Sequence, residues 1–227
     1  MDSFRSIWNG LDWSVLSDIL LRIVPALLCI TLHELCHGLT AYKLGDDTAK
    51  RAGRLTLNPL KHIDVMGLLM MLLFRFGWAK PVPVNMNRLH RPKRDMAFVA
   101  LAGPVSNLLL AIAALFLYGL LLIPLGSGRI GNVVLDLILT AATLSIALAI
   151  FNIIPIPPLD GSKILFSLLP DDTYRKILRY ERYGMILLLL LVATGVLSKP
   201  LGTATTWVFS ELWHFARWGY LLAEKVI

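Results

Sequence analysis

Apolar residues in this chain come in long blocks separated by polar joints, not in the short alternations of a soluble sheet. The blocks Ile19–Leu44, Ala97–Ile123, Gly131–Ile154 and Gly184–Leu197 approach the roughly 20 residues that carry an α-helix across a bilayer. The pattern predicts an all-α polytopic membrane protein with about four to six transmembrane helices, in one domain over residues 1–227. Residues 1–18 form a lead-in whose Trp8 and Trp13 suit a membrane interface. The first helix, about 19–44, is expected to stop at Gly45. The joint at about 46–94 contains Val65–Phe76, about a dozen apolar residues, which is short for a span and fits a re-entrant or interfacial segment. After it, Lys80-Pro81-Val82-Pro83-Val84 alternates in character. Two prolines bar it from a sheet interior, so a small β edge at the membrane surface is expected. Spans at about 97–123 and 131–154 follow. Pro155, Pro157 and Pro158 break the helix at the end of the latter. Unwound backbone at membrane depth survives only where protein or a polar cavity satisfies it. After a span at about 184–197, the segment at about 204–224 carries Trp207, Glu211, Trp213, His214, Arg217 and Trp218. It is amphipathic and is read as a surface helix or a last span.

Composition supports this picture: 56% of the 227 residues are hydrophobic and 16% charged, with a mean hydropathy of +0.68, far from an ordinary soluble domain. The N-terminal stretch lacks a basic flank, a short apolar core and a small-residue cleavage site, so no removable signal peptide is expected. Cys29 and Cys36 lie on one helix and cannot bridge each other. The formal charge of +7 is informative through its distribution. Eleven basic residues from Lys43 to Arg94 lie between the first and second spans, and five more, Lys163, Arg175, Lys176, Arg179 and Arg182, follow the third. The intervening loops on the other side hold only Arg129 and Lys199. The positive-inside rule makes both rich segments cytoplasmic. Topology and contact with anionic lipid therefore account for the positive charge, and no nucleic-acid partner is expected.

Within the first block, "CITLHELCHGLTAYKLG" places two histidines and a glutamate where the chain otherwise reads as membrane. His33 and His37, four apart, share a helix face and can hold one ion, with Glu34 beside them. HExxH is the zinc motif of metallopeptidases, with the glutamate as general base. Polar packing between helices is the plainer reading, but three ionisable residues in one membrane helix turn are costly without a function. A catalytic zinc needs a third protein ligand. Thr40 and Lys43 stand where an extended HExxHxxGxxH motif would need glycine and histidine. Glu181, Glu211 and Glu224 lie in charged or amphipathic segments. Aspartate is left, with Asp160 in "NIIPIPPLDG" first, ahead of Asp64 in "KHIDV" and Asp136 near the non-cytoplasmic end of a span. At 1.5 Å per residue, the pair sits about 12–18 Å in from Gly45. His62 and His90 are read as solvated or capping residues, and His214 as part of the amphipathic tail with no evident partner.

"HELCH", "AGPVSN" and "NIIPIPPLDG", in that order and on separate spans, resemble the site-2 protease family of intramembrane zinc metalloproteases over roughly residues 19–170. "GWAKPVPVN" is similar to the loop of its short stand-alone prokaryotic branch. The resemblance implies one Zn2+ per chain held by His33, His37 and Asp160, with Glu34 as general base. It implies that Asn152 helps stabilise the oxyanion and that Asn107 supports the site. A transmembrane protein would be the substrate, the lipid bilayer the surroundings, and a prokaryotic cell membrane the location, with the site nearer the cytoplasmic side. Neither a PDZ nor a CBS domain is present in this sequence. The edge Lys80, Pro81, Val82, Pro83, Val84 and Asn85 is expected to receive an extended substrate by strand addition. A metal transporter and a non-catalytic membrane chaperone are the competing readings. Neither requires Glu34 beside the ligand pair.

Overall fold

The computed structural model describes residues 13–64, 66–67, 79–126 and 128–226. The expected re-entrant segment and Trp8 lie almost wholly outside them, as do the side chains of residues 13–21, 171–172 and 175–182. Helix α1, Trp13–Lys43, ends where expected. Gly45 takes a positive φ of 106°, and the Asp46 N–H reaches back to the Ala41 carbonyl at 2.9 Å, closing the helix end in a left-handed turn. The short α2, Thr48–Arg51, follows. Long helices α3, Pro92–Leu125, and α4, Arg129–Ile153, come next. The chain is then unwound through the prolines at 155, 157 and 158, and α5, Asp160–Ser167, starts on the aspartate itself. Helix α6, Asp171–Ala193, and helix α7, Ser198–Val226, complete the described order.

Among the described residues three helical stretches are long and apolar enough to cross a membrane, Arg22–Lys43, Pro92–Leu125 and Arg129–Ile153. A fourth arises if Tyr183–Ala193 and Ser198–Val226, bent by 84°, count as one span. Four is the lower end of the expected range. The bend falls at Gly195, where φ is +69°.

Helix α3 is central and packs against α1, α4, α5 and α7. Apart from Asp95 and Asn107, its buried positions are small or apolar, among them Val99, Ala100, Gly103, Ala111, Ala114 and Leu115, while Leu101, Val105, Leu109 and Leu117 are exposed. A helix that is apolar on both faces needs lipid outside. Helices in lipid associate by close packing of small residues, and the α3–α7 seam does so. A Cβ on Gly119 would lie 1.8 Å from the Ala216 carbonyl oxygen, and one on Gly219 would lie 2.1 Å from that of Phe116. The C-terminal segment therefore lies along α3 through Ala216, Gly219 and Ala223, with Trp207, Trp213 and Trp218 exposed.

Among the described residues the expected β element is reduced to one antiparallel bridge, Ile63 with Ala79, extended by the Lys80 N–H to the His62 carbonyl at 2.9 Å. The chain beyond it is held by side chains. Buried Arg54 donates to the carbonyls of Lys80 and Pro81 at 2.6 and 3.3 Å. Asp46 accepts from the Asn85 N–H at 2.6 Å. Asp46 is fully buried. Burial works against its charge, but the Thr48 hydroxyl, the N–H groups of Asn85 and Thr48, and Arg88 outweigh it and hold the carboxyl below the usual carboxylate range.

Candidate metal centre

Helix α1 carries the histidine pair inward at a spacing of one turn, and the proline break lets α5 begin with its first residue facing them. His33 Nε2, His37 Nε2 and Asp160 Oδ2 converge: the nitrogens are 2.9 Å apart and each is 3.1 Å from the carboxylate oxygen. Among the described residues these three form the group of potential ligand atoms close enough to share an ion. All three are buried. Asp64 instead accepts from the Gly67 N–H at 2.8 Å, and Asp136 is exposed on α4. His62 is buried with Nε2 on the Thr56 carbonyl at 3.0 Å, whereas His90 and His214 are exposed.

Helix α3 closes the far side of the centre. His37 Nδ1 lies 2.6 Å from the Val99 carbonyl, so that nitrogen carries the proton and Nε2 presents a lone pair. A lone pair facing a second imidazole nitrogen and a carboxylate oxygen is repulsive unless a proton or a metal ion lies between them. Tetrahedral ligands at about 2.0–2.2 Å from zinc stand about 3.4 Å apart, only a few tenths of an ångström more open than the three atoms here. Two imidazoles and a carboxylate on one open side are a donor set that suits zinc. Gly103 leaves the rings room, since a Cβ there would lie 2.5 Å from His37 Cε1 and Nε2 and 2.6 Å from His33 Cε1.

A cleft of about 320 Å³ opens over the centre, walled by Glu34, Val82, Val84, Asn152 and Lys163, among others. Glu34 Oε2 accepts the Val82 backbone N–H at 2.8 Å, which orients the carboxylate against the extended segment. Prolines 81 and 83 have no N–H. The Val84 N–H and the carbonyls of Val82, Pro83 and Val84 have no hydrogen-bond partner among the described residues. Asn152 lies on the cleft wall, with its Nδ2 donating to the Leu148 carbonyl at 2.9 Å. Asn107 lies behind His33, fully buried, with Nδ2 3.1 Å from His33 Nδ1. It faces the ligand and is not part of the cleft wall.

Four contributors escaped the sequence reading. Lys163, counted there only as a positive charge, lines the cleft with Nζ 3.9 Å from Asp160 Oδ1; its spacing of three from Asp160 on a helix was the available signal. Val99 and Gly103 stand at successive intervals of four before Asn107, so "AGPVSN" ends a helix face that begins at Val99. Arg54 carries no signal in the sequence, because its partners are backbone carbonyls 26 and 27 residues away.

The profile described as peptidase family M50 matches residues 122–197. A Bacillus subtilis protein named "Putative zinc metalloprotease YwhC" is 40% identical over 191 residues, covering 82% of this chain and 83% of that one. Proteins named Rip2 under the same description are similar to it in Mycolicibacterium smegmatis, with 30% identity covering 84% of this chain and 73% of the relative, and in Mycobacterium tuberculosis, with 29% identity covering 81% and 70%. No solved structure gives a significant match.

Proposed function

The chain belongs to peptidase family M50, the site-2 proteases, as a zinc metalloprotease with a multi-pass membrane fold, and from that premise we propose that it is an intramembrane endopeptidase. It cuts peptide bonds in transmembrane or membrane-proximal segments of protein substrates. The observation that carries this reading is the convergence of His33 Nε2, His37 Nε2 and Asp160 Oδ2 within 3.1 Å on a cleft that Glu34 also lines.

His33, His37 and Asp160 would hold one zinc ion. When bound, zinc supplies Lewis acidity, which makes water nucleophilic near neutral pH and offsets negative charge on the attacked carbonyl. Glu34 takes the proton of the attacking water and returns it to the leaving amide nitrogen. The Val82 N–H occupies one of its oxygens and leaves the other for the proton. Lys163 balances the outer oxygen of Asp160. Asn152 has one amide N–H committed to Leu148 and a second to offer to the developing oxyanion.

A substrate helix hides its carbonyls in its own hydrogen bonds and must unwind before attack. The segment Lys80–Asn85 receives the unwound strand through the Val84 N–H and the carbonyls of Val82 and Val84. Lys80 and Asn85 anchor its two ends. Val84→Pro removes that donor without touching Glu34, so cleavage at wild-type rate in a folded Val84→Pro protein would refute strand addition. The charge asymmetry supports a cell-membrane orientation with this segment on the cytoplasmic side. Cysteines introduced at Lys61 and Arg129 should label from opposite faces, and labelling from one face would refute it.

Glu34→Gln separates the reading from transport or chaperoning. In liposomes with single-span substrates it should abolish cleavage while zinc stays bound. A rate equal to wild type would remove Glu34 from the chemistry.

A further inference from the structure

We infer that Asn107 fixes His33 in the tautomer that presents Nε2 to the metal, accepting the His33 Nδ1–H through its side-chain oxygen. This rests on the zinc reading above and deepens it. One face of α3 addresses both imidazoles at intervals of four residues. Val99 offers its carbonyl to His37 Nδ1 at 2.6 Å, Gly103 gives both rings space, and Asn107 meets His33 Nδ1 at 3.1 Å. For His37 the choice of tautomer is made by a group that can only accept. His33 needs the same choice, because its Nε2 is the atom that meets His37 Nε2 and Asp160 Oδ2.

The two ends of an amide have nearly the same shape, so its hydrogen bonds decide which end faces the ring. With Nδ2 toward His33, Nδ1 would be an acceptor and the ring proton would lie on Nε2, where it blocks ligation. A half-turn about the side-chain bond puts Oδ1 on Nδ1–H and frees the Nε2 lone pair. Asn107 is thereby a positioning residue, the outer partner of a metal-bound histidine, a class of contact whose loss costs about 10–100-fold in metal affinity.

The test is zinc affinity, by competition with a chelator of known strength, for wild type, Asn107→Leu and Asn107→Asp, with substrate cleavage followed as zinc is raised. The aspartate can only accept, so Asn107→Asp should bind zinc within about threefold of wild type or more tightly. Asn107→Leu should lose about 10–100-fold and recover cleavage in excess zinc, which a merely misfolded variant would not. Nitrogen spectra of histidine-labelled, zinc-loaded wild type should show Nδ1 protonated on both rings. If Asn107→Asp weakens zinc, the side chain acts as a donor and the inference is overturned; this comparison decides even where Asn107→Leu does not fold. Leucine binding zinc as wild type does overturns it equally. A wild-type protein that binds no zinc fails the metal reading itself, whereas tight and equal binding by all three fails only the role of Asn107.

Discussion

Gly103→Ala is the smallest change that reaches the centre without touching a ligand. Its added methyl would lie 2.5 Å from His37 Cε1 and Nε2 and 2.6 Å from His33 Cε1, whereas carbon atoms in ordinary contact stand about 3.5–4.0 Å apart. The rings or the helices must separate by about 1 Å. The rings cannot retreat freely, because His37 Nδ1 is held to Val99 and His33 Nδ1 to Asn107, both on the helix that carries the new methyl. Metal sites tolerate about 0.2 Å of ligand displacement. Zinc affinity should therefore fall by at least about tenfold, cleavage by about 100-fold, and stability by about 1–3 kcal/mol from overpacking. Gly202→Ala is the control. A Cβ there meets nothing within 4 Å, and the helix should gain about 0.5–1 kcal/mol. Chelator competition, cleavage of a single-span substrate in liposomes and thermal melts in detergent read the three effects. Zinc affinity and cleavage within threefold of wild type for Gly103→Ala would refute the packing of α3 on the histidine pair.

Asp46→Asn should destabilise the fold by about 1.5–3 kcal/mol at pH 7, the range for hydrogen bonds to a charged group. The folded carboxyl lies below its unfolded value of about 3.9, so its contribution is complete above that value and lost as pH falls through the lower folded one. The difference between wild-type and variant melts should close below about pH 4, and a difference unchanged in strong acid contradicts the assignment. Arg54→Ala should leave zinc bound but cut cleavage by about tenfold or more, because the Lys80–Pro81 carbonyls lose charged donors worth about 1.5–3 kcal/mol. Arg54→Lys should not restore both bonds, and unchanged cleavage in Arg54→Ala would refute the brace. Gly219→Leu should cost about 1–3 kcal/mol by forcing α7 off Phe116, and an unchanged melt would place α7 elsewhere.

Sequence legibility followed the range of the interactions. The first three span blocks, the stop at Gly45 and the unwinding at the three prolines are written locally, in hydropathy and in φ restrictions, and helices or unwound backbone stand there, whereas the block Gly184–Leu197 is helical only to Ala193 and reaches span length only together with Ser198–Val226 across the bend. The histidine pair was legible because a helix converts a spacing of four into one face. Asp160 was reached through chemistry and elimination, since nothing local to "PPLDG" says which helix it will face. The seam of Gly119 and Gly219 was not legible. Two glycines in apolar helices announce close packing only once the partner is known. The last segment was read as amphipathic, yet its small face lies on α3 and its tryptophans are outside, a pattern that periodicity alone does not separate from a surface helix. The brace at Arg54 and the hydrogen bond from Val82 to Glu34 join residues tens of positions apart through backbone groups that every residue carries, so no side-chain pattern could point to them.

The central claim is hydrolysis inside the membrane by a zinc centre built from His33, His37 and Asp160 with Glu34 as base. Mass spectrometry of the products of a single-span substrate, cut in liposomes by zinc-loaded wild type, Glu34→Gln and Asp160→Ala, tests it most directly. Wild type should give a new terminus within or at the border of the substrate's membrane segment. Glu34→Gln should give no product with zinc still bound, and Asp160→Ala no product with zinc lost. Product from Glu34→Gln at the wild-type rate, or a cut confined to the substrate's aqueous domains, would contradict it.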